Sequence, residues 1–181
     1  MINDMPKESV WKIKDTDSQS VNNGVTFNFD FTTFESAEIR EVVQRYIWDN
    51  YRTGNRTLRG LRTMLRQMVI FNEFCIAKDI WSLTDLNNDL MDEYQAFLKT
   101  YISHTTKKPF TYSSQRCCFS SLKTLVSWCH AFLPEAVPQR QIFTGREYRD
   151  TYSGKLKIDF IPDEVLEEIN RALDIEDNPL S

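Results

Sequence analysis

Conformational breakers are scarce in this chain: 5 glycines and 6 prolines among 181 residues. With 41% hydrophobic and 13% aromatic residues, that scarcity excludes disorder and favours a helix-rich globular protein. No apolar run approaches the length of a bilayer span, and the opening residues MINDMPKESV lack the basic-then-apolar layout of a signal peptide. The expected location is therefore cytoplasmic, with no membrane partner. Cysteine is limited to Cys75, Cys117, Cys118 and Cys129, without CxxC spacing or paired histidine ligands, so reduced packing thiols are expected and no metal or other cofactor.

Acidic residues outnumber basic ones, 26 to 22, which at first weighs against an anionic partner. The distribution reverses that inference. Residues 1–50 hold 5 Lys and Arg against 9 Asp and Glu, residues 51–130 hold 11 against 6, and residues 131–181 hold 6 against 11. A basic middle between acidic flanks points to an anionic ligand met by the middle segment.

Within that middle, residues 112–133 contain no carboxylate at all. Stepped at about 100° per residue, Cys118, Phe119, Leu122, Leu125, Val126, Cys129, Phe132 and Leu133 fall on one apolar arc. Ser113, Arg116, Ser120, Lys123, Thr124 and Ser127 share the other. Solvated helix faces ordinarily mix Glu with Lys, whereas short hydroxyls and cations suit phosphate oxygens. The spacing predicts an amphipathic helix here.

Upstream, Val25, Phe27, Phe29 and Phe31 alternate with polar residues after the Asn22-Asn23-Gly24 turn, which predicts a hairpin of residues 10–14 with 25–31. Its phenylalanine face should lie on the helical body, because a two-stranded ribbon is marginal alone. A first helix opens at Ser36, and Gly54-Asn55 closes it. A second starts near Arg56 with Leu58, Leu61, Leu65 and Met68 inward. Arg59, Arg62 and Arg66 lie within about 60° of one another on its flank, and neither Arg59 nor Arg62 has an acid at i±3 or i±4. A third helix is expected from Ser82, with an acidic outer face of Asp85, Asp89, Asp92 and Glu93. Lys107 and Lys108 then precede the 112–133 helix, whose N-terminus can itself hold phosphate. Residues 134–157 read as an irregular linker, and Ile161-Pro162-Asp163-Glu164 begins a last helix.

Arg56-Thr57-Leu58 with its spaced apolar residues through Phe71 and Phe74, then Leu83-Thr84-Asp85-Leu86, then the Ser-rich helix ending Ser127-Trp128, resembles the core-binding domain of tyrosine recombinases, the phage and transposon integrases. The likeness covers residues 35–133. It implies a mainly α fold, a four-helix SAM-like bundle with a C-terminal linker helix; the small hairpin in residues 1–34 comes from the residue pattern and is not a general feature of that family. It implies duplex DNA as partner, with the second and fourth helices toward the major groove. Residues 158–181 would open a catalytic domain, and the full-length protein would assemble as a tetramer on DNA.

The same resemblance implies what this stretch does not supply. The family's Arg, Lys, His-x-x-Arg and nucleophilic Tyr would lie beyond Ser181, and neither His104 nor His130 begins His-x-x-Arg. The expected role is therefore non-catalytic: Arg56, Arg59, Arg62, Arg66, Lys107, Lys108, Arg116 and Lys123 on phosphates, with Ser113, Ser120 and Thr124 on phosphates or base edges. A helical protein-interaction module is the alternative, suited by the acidic third helix. A helix-turn-helix regulator is disfavoured by the long connections between helices.

Overall fold

The computed structural model describes residues 4–148. In chain order it runs β1 (Val10–Lys14), β2 (Thr26–Asp30), α1 (Ala37–Arg52), α2 (Leu58–Ala77), a 3-10 turn at Leu83–Asp85, α3 (Asn88–Thr100), α4 (Tyr112–Phe132) and a second 3-10 turn at Pro134–Ala136. The architecture is a small helical bundle carrying one two-stranded antiparallel sheet.

The hairpin pairs Trp11 with Phe29 and Ile13 with Phe27. Gly24, at φ 83°, makes the left-handed turn that returns the chain into β2, where a side chain would be strained. Of the alternating set, Phe27, Phe29 and Phe31 go inward as expected and Trp11 and Phe34 join them, whereas Val25 stays 48% exposed because it lies before β2, in the turn. Each phenylalanine so buried contributes about 1.5–3 kcal/mol, so the sheet is held by the helices it covers rather than by its own ladder. Asn72 of α2 adds a hydrogen bond from Nδ2 to the Thr33 carbonyl, 2.9 Å.

Each helix begins on a side-chain cap. Ser36, Thr57, Asn87 and Thr111 accept from the backbone N–H of Ile39, Gly60, Leu90 and Ser114, three residues on. These caps correct two expected boundaries. Arg56 lies in the turn before α2 rather than on the helix, because Thr57 takes the cap. The third helix starts at Asn88 and not at Ser82; Ser82 caps only a 3-10 turn, and Leu86 is extended (φ −62°, ψ 140°), which breaks the helical run until Asn87 restarts it.

The core is aromatic. Tyr94 of α3 stands edge-on to Phe71 with ring centroids 5.2 Å apart and lies parallel to Phe119 of α4 at 5.9 Å, so one ring ties three helices together. Trp128 was not expected on the buried arc, yet it is buried edge-on to Tyr46 at 5.6 Å and donates from Nε1 to Asp49 at 2.9 Å. Phe132 was expected inside and is 63% exposed, because α4 ends there and the chain turns away at Leu133.

Among the described residues after α4, up to Tyr148, the 3-10 turn is the one regular element, and this stretch does not hang free. Val137, Ile142 and Phe143 are buried, Phe143 meets Phe119 edge-on at 5.8 Å, and Asn88 Nδ2 donates to the Ile142 carbonyl at 3.0 Å. One compact unit therefore runs through Glu147. The helix expected from Ile161 lies outside the described residues.

Candidate nucleic-acid interface

Two helices carry most of the expected contact residues, and their packing decides whether those residues share a side. Arg56, just before α2, borders the same depression as Ser127, Trp128 and Phe132 near the end of α4. Arg66 at the middle of α2 and Glu73 in its second half border another with Tyr101, His104 and Phe110, just before α4 begins. The two helices therefore run in opposite directions. A hydrogen bond from Ser121 Oγ to Gln67 Oε1 marks their line of contact.

From that line, Arg59 and Arg66 lie about 80–100° round α2, and Ser113, Ser120 and Thr124 about 60–100° round α4, in the same rotational sense. Between antiparallel helices, equal rotations of the same sense lead to one side of the pair. Arg62 and Arg116 follow at about 140° on their respective helices. The arginine flank of α2 and the hydroxyl arc of α4 thus form one continuous face. α3, with exposed Asp85, Asp89, Asp92 and Glu93 on or just before it, contributes no residue to it, and Glu93 is engaged by Lys78.

Electrostatically the face is cationic and largely uncompensated. Among the described residues Arg56, Arg59, Arg62 and Arg66 make no ion pair, and α2 and α4 have no acidic residue in their first turns, whereas α1 and α3 carry Glu38 and Asp89 there. The positive ends of both dipoles are left without a side-chain counter-charge.

Lys123 departs from expectation. It is half-buried, its Nζ lies 5.4 Å from the centre of the Phe143 ring, and Glu147 Oε2 is 3.7 Å away. Burial pushes the Glu147 carboxyl up, but hydrogen bonds from its own backbone and from Thr144, and then the Lys123 charge, outweigh that and hold it below its usual range. The residues after α4 therefore supply a counter-ion that position within the helix could not reveal. Thr124, also half-buried, donates back to the Ser120 carbonyl at 2.9 Å and keeps its oxygen as an acceptor.

Lys107 and Lys108 are exposed on a closed loop: Lys107 N–H donates to the Ser103 carbonyl and Ser103 N–H to the Lys108 carbonyl, both 2.9 Å. Lys107 is left-handed at φ 56°, which the two bonds sustain. Beside this loop, His104 Nε2 is 3.1 Å from Glu73 Oε1, and Tyr101 donates to the same oxygen at 3.2 Å. Glu73, the one acid of α2, is thus occupied by the loop.

Among the described residues no cluster of His, Cys, Asp and Glu could hold a metal ion, and no helix is long and apolar enough to cross a membrane. Three cysteines are buried, and Cys117 is exposed. The fold and this face define a helical bundle with a small sheet and one basic side. Comparison with protein-family models, curated proteins and solved structures gives no match.

Proposed function

We propose that the α2/α4 face binds duplex DNA and that the chain serves as the core-site-binding part of a tyrosine-recombinase-like integrase, gripping and positioning DNA without performing chemistry itself. One observation carries the reading: Arg59, Arg62 and Arg66 share a face with the acid-free arc of α4 and have no ion pair among the described residues. Cations placed together repel unless something anionic lies opposite, and a duplex phosphate backbone supplies that charge along a line. The arginines and Lys107 and Lys108 bind phosphates on this reading, while Ser113, Ser120 and Thr124 reach phosphates or base edges. Tetramer assembly on DNA belongs to the same proposal through the family resemblance.

Fluorescence anisotropy with a labelled 25-base-pair duplex at increasing salt tests it. Binding is expected to weaken steeply with salt, log K falling by about 0.9 per phosphate contact per unit log salt. Equal affinity at 50 and 300 mM salt, or none at low salt, would overturn the proposal and bring the protein-interaction reading forward, with the acidic α3 surface as its docking side.

A further inference from the structure

At one end of the basic face, where α1, the start of α2 and the second half of α4 meet, lies an open depression of about 550 Å³. Its wall combines three chemistries. Arg56 supplies a cation with no ion pair among the described residues, whereas the neighbouring Lys123 is held by Glu147. Thr124 and Ser127 supply hydroxyls. Trp128 and Phe132 supply an aromatic pair with centroids 5.5 Å apart, the outer ring standing 63% exposed.

Two further observations mark this as a place for a ligand. Tyr46 is 1% exposed and borders the depression beside Arg56, and its hydroxyl proton has no acceptor among the described residues. Burial raises the Tyr46 hydroxyl above its ordinary pKa, and the nearby Arg56 charge and a hydrogen bond from Arg56 to the phenol oxygen only partly oppose this. A buried hydroxyl proton without an acceptor is costly unless one arrives. The Trp128 indole is also fixed, because its Nε1–H is taken by Asp49 and Tyr46 stands edge-on to it, so the ring is oriented before anything binds. A cation beside a pre-oriented aromatic surface matches a phosphate with its attached base.

We propose that this depression holds one nucleotide unit out of the base stack, its phosphate on Arg56 and the Ser127 hydroxyl, its base on Phe132. The inference rests on the DNA-binding reading but goes beyond it. A flat basic face binds any duplex alike, whereas this pocket makes the protein prefer DNA with an unpaired nucleotide. Stacking on Phe132 sets the size of that preference, roughly five- to a hundredfold.

The test compares a blunt duplex with the same duplex carrying one bulged nucleotide, for the wild type, Phe132→Ala, Arg56→Ala and Arg59→Ala. Phe132 is mostly exposed, so its variant should keep the wild-type melting temperature. The wild type is expected to favour the bulged duplex, Phe132→Ala to bind both equally, and Arg59→Ala to lose affinity for both by the same factor. Equal wild-type affinity for the two duplexes, or a preference that survives Phe132→Ala, overturns the pocket while leaving duplex binding standing. If neither duplex binds, the DNA reading fails, and titration with a free deoxynucleoside 5′-monophosphate decides the pocket alone. A shift of the Trp128 indole N–H signal that Arg56→Ala abolishes supports a free nucleotide as occupant. No shift at millimolar nucleotide refutes the site.

Discussion

Replacing Arg59, Arg62 and Arg66 together by alanine isolates the charge of α2 from its packing. None of the three has an ion pair among the described residues, and Arg59 and Arg66 are exposed, so each change should move stability by no more than about 0.5 kcal/mol. The effect on DNA should be large and should depend on salt. If each arginine meets one phosphate, the slope of log K against log salt falls by about 2.7. A fourfold rise in salt then costs the wild type roughly 40-fold more affinity than the variant, since each lost contact accounts for about 3.5-fold. Leu65→Ala and Leu122→Ala provide the contrast. Both side chains are buried, at 4% and 0% exposure, and their removal should destabilise by about 2–5 kcal/mol while leaving the salt slope of the folded fraction unchanged. Thermal melts report stability, and anisotropy at 50 and 200 mM salt reports the slope. Glu93→Ala is the control on the acidic surface. The reasoning is refuted if the triple variant keeps the wild-type slope, if Glu93→Ala weakens binding as much as Arg59→Ala, or if the arginine changes unfold the protein and spare its affinity.

The thiols should divide sharply. Burial pushes Cys75, Cys118 and Cys129 up to about 12, so they stay protonated at pH 8, and a thiol reagent should modify the exposed Cys117 quickly and the other three only on unfolding; two or more fast thiols in native protein would contradict the packing. Asn72→Ala should cost about 0.5–1.5 kcal/mol through the lost hydrogen bond to Thr33, whose exposed carbonyl water can then reach, and should loosen the hairpin first, read as faster amide exchange in β2 than in α4. Glu147 is held below its ordinary value of 4.5, so its contribution to stability is present above that pH and is lost as pH falls through the lower folded value. The melting temperatures of wild type and Glu147→Gln should accordingly differ at pH 7 and converge on acidification, and a constant gap down to pH 3 would argue against a carboxylate stabilised by its hydrogen bonds with Thr144 and its own backbone and by Lys123.

Much of the molecule was legible along the chain because its causes are local. Alternation of phenylalanines set β2, helical spacing set α1, α2 and α4, and the missing carboxylates of α4 stand in the sequence itself. Capping chemistry was less legible. Ser82 and Asn87 both offer a cap, and only the extended backbone at Leu86 decides that the long helix begins after the second. Phe132 satisfies the helical period as well as Cys129 does, but periodicity cannot tell that the helix ends just there.

What the sequence determined by itself is the set of faces: which residues of each helix are apolar, which are basic, and that α2 and α4 lack acids where they begin. What the tertiary structure decided is how the faces combine. Only antiparallel packing of α2 on α4 brings the arginine flank and the hydroxyl arc to one side, since parallel packing of the same helices would set them on opposite sides. Only the fold places Glu147 on Lys123, 24 positions apart, and the buried hydroxyl of Tyr46 beside Arg56 and Trp128. Periodicity is a property of neighbours within about two helical turns, whereas these contacts join segments whose approach is set by burying Phe143, Tyr94 and Trp128 together in one core.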